Sequence, residues 1–84
     1  MPEIQIPGVP TIAEDLDQLL RSAKRLIGAN EVCRLAYLVP SEYDEAGRAR
    51  AKADRLRAMA ELSAVAEITA ERQRWRRELA DQQH

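Results

Sequence analysis

No phenylalanine occurs among these 84 residues, and the other aromatics amount to one Trp and two Tyr. A chain this short buries only roughly 60% of the surface that its unfolded form exposes. With so few large side chains, the core it can build is lean. Small helical proteins with lean cores gain stability from a disulfide, a metal or a second copy of themselves. Cys33 is the single cysteine, which excludes an intrachain disulfide, and His84 is the single histidine, which excludes a His/Cys metal site within one chain. Association with another copy is the remedy left.

Long apolar runs are missing too. No stretch approaches the ~20 residues needed to cross a bilayer, and the first residues lack the basic and apolar regions of a secretory signal. A cytoplasmic, soluble chain is therefore expected. No glycine-rich phosphate loop is present, so no cofactor is expected. Catalysis has little to work with. Cys33 has no histidine partner, and the paired acids Glu14/Asp15 and Asp44/Glu45 sit at helix starts, where capping accounts for them. The expectation is a protein that is not an enzyme.

Alanine and arginine are what the sequence has in quantity: fourteen Ala, and eleven Arg against two Lys, a usage that suggests a GC-rich bacterial or phage gene. The net charge of −1 is unevenly spread, since residues 1–47 carry eight acids against four bases and residues 48–84 carry nine bases against six acids. An acidic front and a basic rear can attract each other across a dimer as easily as they attract a ligand.

Residues 1–10, "MPEIQIPGVP", hold three prolines and a glycine and predict an extended N-terminal arm. The rest reads as a single helical domain, 11–84. "TIAE" is a capping box, in which the Thr11 hydroxyl takes the Glu14 amide and the Glu14 side chain reaches back to Thr11. Acids crowd the first turns, where the helix dipole favours them. Apolar residues at Ile12, Leu16, Leu19, Ala23 and Leu26, widened by Leu20 and Ile27, then trace one helix face. Lys24, Arg25 and Gly28 end this first helix, over about 12–27. A short second helix, 31–39, is capped by Asn30 and stopped by Pro40; its "CRLAYLV" run is also apolar enough for a strand, but nothing else in the chain could pair with one. From Ser41 as cap, a long helix runs over about 42–81, free of proline and rich in good helix formers. The fold class is all-α, a helical hairpin or three-helix arrangement with one long C-terminal helix, oligomeric through that helix.

The long helix carries two apolar stripes about 100° apart, Ala46, Ala49, Ala53, Leu56 and Ala60 in its first half and Val65, Ile68, Trp75 and Leu79 in its second. The helix is therefore either kinked near 59–63 or faced by different neighbours along its length, and the second alternative is preferred. Val65, Ile68 and Leu79 make the expected seam of a homo-oligomer. Trp75, flanked by Arg72 and Arg76, makes the expected contact with a partner protein, since Trp and Arg dominate binding hot spots.

Arg48, Lys52 and Arg55 fall within about 60° of one another and are candidate phosphate contacts, whereas Arg50 and Arg57 point nearly the opposite way. A helix that tracks phosphates gathers its charges on one side, so solvated flanks explain this cluster better. A helix-turn-helix around Gly28 fails at two positions: a small residue is required where Lys24 stands, and an apolar one where Arg34 stands. The expected function is therefore a protein-binding adaptor, regulator or inhibitor that works as a helical homo-oligomer. The alternatives are a nucleic-acid-binding regulator that uses the arginine-rich faces, and a structural assembly subunit of a virion or secretion apparatus tied together by its arm.

Overall fold

The computed structural model describes residues 7–83, so the first six residues of the expected arm lie outside the described residues. The described part is all helical: α1, Ile12–Leu38, and α2, Glu45–Gln82, pack against each other as an antiparallel hairpin measuring 63 × 19 × 16 Å.

The capping box at Thr11 forms as expected. Thr11 Oγ1 accepts from the Glu14 amide at 3.1 Å, and the same hydroxyl donates to Glu14 Oε1 at 3.2 Å. The Glu14 carboxylate thus reaches the hydroxyl of the cap. Upstream, Gly8 takes φ +81°, a left-handed conformation that a side chain would disfavour.

The expected helices 12–27 and 31–39 are one helix. Gly28 and Asn30 lie inside α1, and Gly28 has no positive φ. A glycine inside a helix costs only ~1 kcal/mol relative to alanine, and a break there would interrupt the row Leu26, Ala29, Cys33 and Ala36 that packs against α2. Packing overrides the local stop signal. Lys24 and Arg25 therefore sit in mid-helix, where Arg25 bonds Glu61 across the hairpin.

Pro40 does end α1. Val39 closes the helix with its N–H on the Leu35 carbonyl at 2.8 Å, and Glu42 N–H bonds Val39 O at 3.1 Å. Proline thus takes the second position of a β-turn, where its fixed φ is favoured. Ser41 is used up in that turn, so the cap of the long helix is Asp44, which accepts from Gly47 N–H at 2.7 Å. α2 then runs without interruption for 38 residues, through the region 59–63 where a kink was considered.

What joins the helices is unusual for its small size. The most buried positions in α1 are Asp15, Ser22, Cys33 and Ala36, and in α2 they are Ala51, Ala58 and Val65. With the half-buried Leu19, Leu26 and Ala29, and with Leu62, Thr69, Arg72, Arg76 and Leu79, these fall on one pattern of alternating three- and four-residue steps in each helix. That is a seven-residue repeat, the signature of helices that coil around each other. The most buried seam positions are mainly alanine and polar groups, with Leu19, Leu26, Leu62 and Leu79 half-buried among them. Further large apolar side chains lie off the seam and are exposed.

Candidate functional site

Two arrangements stand out on this frame: a buried ionic cluster at the open end of the hairpin and an uncharged flank along one side.

The cluster centres on Asp15, whose side chain is 1% exposed. Arg72 Nε donates to both carboxylate oxygens, at 3.0 and 3.2 Å, and its Nη2 lies 2.9 Å from Oδ1. Arg76 adds Nη1 at 3.1 Å from Oδ2 and donates through Nη2 to the Pro10 carbonyl. Nη1 of Arg76 is off the hydrogen-bonding direction, so its attraction to Asp15 is Coulombic only. The register explains why a charge is here at all. Asp15, Arg72 and Arg76 all occupy seam positions, and each can be buried only because the others neutralise it. The charges neutralise one another, with Arg76 Nη1 alone lacking a hydrogen bond, which suits a clasp between helix ends better than a reactive centre. Among the described residues no group of His, Cys, Asp and Glu could hold a metal ion.

The flank follows from the seam. Residues one position after each seam residue form one side of the hairpin, and residues one position before form the other. The cross-hairpin contacts confirm that like rows share a side. Arg25 and Glu61, both on preceding rows, bond each other, and with Asp54 and Arg57 they line one groove. Asn30, Arg34 and Tyr37, all on the following row, line another groove with Arg55, whose Nε donates to Asn30 Oδ1 at 2.8 Å.

The two sides differ in chemistry. The preceding rows, from Thr11 to Leu35 and from Gly47 to Glu78, hold nine charged residues among eighteen; the following rows, from Ala13 to Tyr37 and from Ala49 to Ala80, hold three among eighteen and no acid. On the uncharged side Leu16, Leu20, Ile27, Leu56 and Met59 are between 42% and 67% exposed. Scattered exposed leucines are ordinary on a protein surface, but these five share one contiguous uncharged strip across two helices.

The residues expected to act divide differently from the sequence reading. Val65 is buried on the seam inside the hairpin and Leu79 is half-buried, so of the expected oligomer seam only Ile68, 48% exposed, is open to another molecule. Arg72 and Arg76 turn inward to Asp15, which leaves Trp75, 37% exposed, as the open member of the expected partner-binding set. Ile68 and Trp75 lie on the charged side. Of the three candidate phosphate contacts, Arg48 donates to the Tyr43 carbonyl at 3.0 Å and Arg55 bonds Asn30, so Lys52 alone projects outward without a bond of this kind. The alanine stripe of the long helix, Ala46 to Ala60, is exposed.

Elsewhere the surface carries local pairs, Asp17 with Arg21, Glu31 with Arg34 and Asp54 with Arg57. The hydrogen bond from Arg34 holds the Glu31 carboxyl below its ordinary range, and Glu31 in turn raises the Arg34 guanidinium. No helix is long and apolar enough to cross a membrane among the described residues.

The chain matches no protein-family model, and comparison with curated proteins and with solved structures likewise finds no match.

Proposed function

We propose that this protein is a non-enzymatic helical association module, an adaptor, regulator or inhibitor of bacterial or phage type that acts by laying the uncharged side of its hairpin against another protein surface. One observation carries the reading. The hairpin closes through alanines, an ionic cluster and half-buried leucines, while Leu16, Leu20, Ile27, Leu56 and Met59 stay open along the rows one position after the seam. Burying one such side chain fully is worth about 1.5–3 kcal/mol, so five residues that keep about half of their surface in water leave part of that driving force unused. The fully buried apolar residues of the seam are Cys33, Ala36, Ala51, Ala58 and Val65, and its leucines are only half-buried. A self-sufficient monomer would place these classes the other way round.

The nucleic-acid reading draws less support, because two of its three arginine-class contacts are engaged within the chain. The structural-subunit reading depends on an arm that lies mostly outside the described residues.

Co-purification from the native host with two double variants tests the proposal. Leu20→Glu with Ile27→Glu puts charge on the uncharged flank, and Ile68→Glu with Trp75→Glu puts it on the other. Circular dichroism checks that both stay helical. Loss of bound protein with the first pair and retention with the second is the expected result, and the reverse pattern would overturn the assignment of the surface.

A further inference from the structure

We infer that the occupant of the uncharged flank is a second copy of this chain, laid face to face with its turn at the opposite end, so that two hairpins make a four-helix bundle. This rests on the reading of that flank as the working surface and adds who binds there and in which direction.

The first support is area. A compact monomer of 9.5 kDa exposes roughly 5,000 Å², whereas this chain exposes 6526 Å². The excess comes from the elongated shape, 63 × 19 × 16 Å, which leaves a long side open, and a standard protein interface needs only about 800 Å² from each partner.

The second is the position of the patch. A two-fold dimer uses the same patch on both copies, so the patch must straddle the axis. The Arg25–Glu61 and Asn30–Arg55 contacts set which residues of the two helices share a level, and they put Ala23 opposite Ser63, close to the middle of α2. Leu20 and Ile27 stand on either side of Ala23, and Met59 and Ala66 on either side of Ser63. An axis through this level stacks each helix on its own counterpart, antiparallel. Leu20 then meets Ile27 of the second copy, and Leu56 and Met59 meet its Ala70 and Ala66. In the α2 layer large residues lie over small ones, the alternation that lets facing layers interdigitate.

Charge selects the direction. The turn half of the hairpin, residues 24–63, carries eight bases against six acids; the open half, residues 7–23 with 64–83, carries five bases against seven acids. Two of the three charges on the flank, Arg34 and Lys52, lie in the turn half. Turns at the same end would gather four cations from two copies on an acid-free surface. Turns at opposite ends instead divide the flank's six cations evenly, Arg34 and Lys52 of one copy sharing an end with Arg77 of the other, so the arrangement avoids that crowding and thereby fixes orientation.

Cross-linking with a short bis-maleimide tests the geometry, read beside sedimentation equilibrium of the wild-type chain. Ser63→Cys places a thiol on the axis, and Ala64→Cys places one at the same level on the charged side. The buried Cys33 is shared by all samples, and the wild type is the blank. A wild-type dimer by mass, with covalent dimer as the main product of Ser63→Cys and at least tenfold less from Ala64→Cys, is the expected result. A wild type that sediments as a 9.5 kDa monomer at ~100 µM overturns self-association, yet leaves the flank open to a different protein. A wild-type dimer that links through Ala64→Cys and not through Ser63→Cys overturns both the inference and the surface assignment beneath it.

Discussion

Asp15 and Arg72, 57 positions apart in the chain, meet at 2.9–3.2 Å through three contacts, with the aspartate 1% exposed. This is the tie between the first turns of α1 and the last third of α2, and Arg76 completes it. Small helical hairpins can slide in register when their seam is all alanine, because one methyl group resembles the next. A buried carboxylate with two guanidinium partners has one low-energy position, and the registry role of such groups is their best-attested use.

Asp15→Asn is therefore expected to destabilise the hairpin by about 3–5 kcal/mol, because it leaves two arginines on the seam without a counter-charge. Urea unfolding followed by circular dichroism reads the loss directly. Replacing Asp15, Arg72 and Arg76 together by Leu, Met and Met should recover that stability or exceed it. If the triple variant is as weak as Asp15→Asn, the cluster contributes more than registry.

Thr69 offers a change in the favourable direction. Its Oγ1 is buried on the seam with no hydrogen-bond partner, and an unsatisfied buried hydroxyl costs about 1–3 kcal/mol. Thr69→Val keeps the shape and removes the orphan group. A gain of roughly 1 kcal/mol in unfolding free energy is expected, and an unchanged or lower midpoint would mean that the hydroxyl is satisfied in solution.

Gly28 tests the continuity of α1. A Cβ built there meets nothing within 4 Å, and the backbone is helical with no positive φ. Gly28→Ala should stabilise the protein by about 0.5–1 kcal/mol. Were Gly28 a left-handed helix terminator, the same substitution would destabilise it, so the sign of the shift decides between one helix and two.

That glycine also shows how far the sequence could be read. The start of α1 was legible, because a cap is a local arrangement of Thr11 and Glu14 and needs no tertiary partner. The long helix was legible from its lack of breakers, and the stop at Pro40 from the missing N–H. The seam was legible only in part. The apolar face expected for α1, Ile12, Leu16, Leu19, Ala23 and Leu26, meets the seam at Leu19 and Leu26 but misses its most buried positions, Asp15, Ser22, Cys33 and Ala36. The available signal was the recurrence of small residues every seven positions, Ser22, Ala29 and Ala36 against Ala51, Ala58 and Val65. Asp15 hides in the same way. It passes for an ordinary acid in a first turn until the level of Arg72 on the opposite helix is known. Because the clasp claims Arg72 and Arg76 and the seam claims Val65, the candidate surface moves to the row one residue away.

The Glu31–Arg34 pair gives a pH-dependent observable. The hydrogen bond from Arg34 lowers the Glu31 pKa in the folded chain. A depressed acid contributes stability above its unfolded pKa and loses it as pH falls through the folded value. The pair is exposed, so it adds little to overall stability. A carboxyl-carbon NMR titration should place the Glu31 midpoint below that of an ordinary glutamate, and Arg34→Ala should return it to the usual range.

The most direct test of the central claim, that the hairpin leaves its apolar side for another chain to cover, is thermal unfolding as a function of protein concentration. A dimer gains stability by mass action, so a hundredfold increase in concentration should raise the wild-type Tm by roughly 5–10 °C. Leu20→Glu with Ile27→Glu should melt lower, at one temperature throughout. Wild-type melting curves that superimpose from micromolar to hundreds of micromolar would contradict the claim that a second copy covers that side.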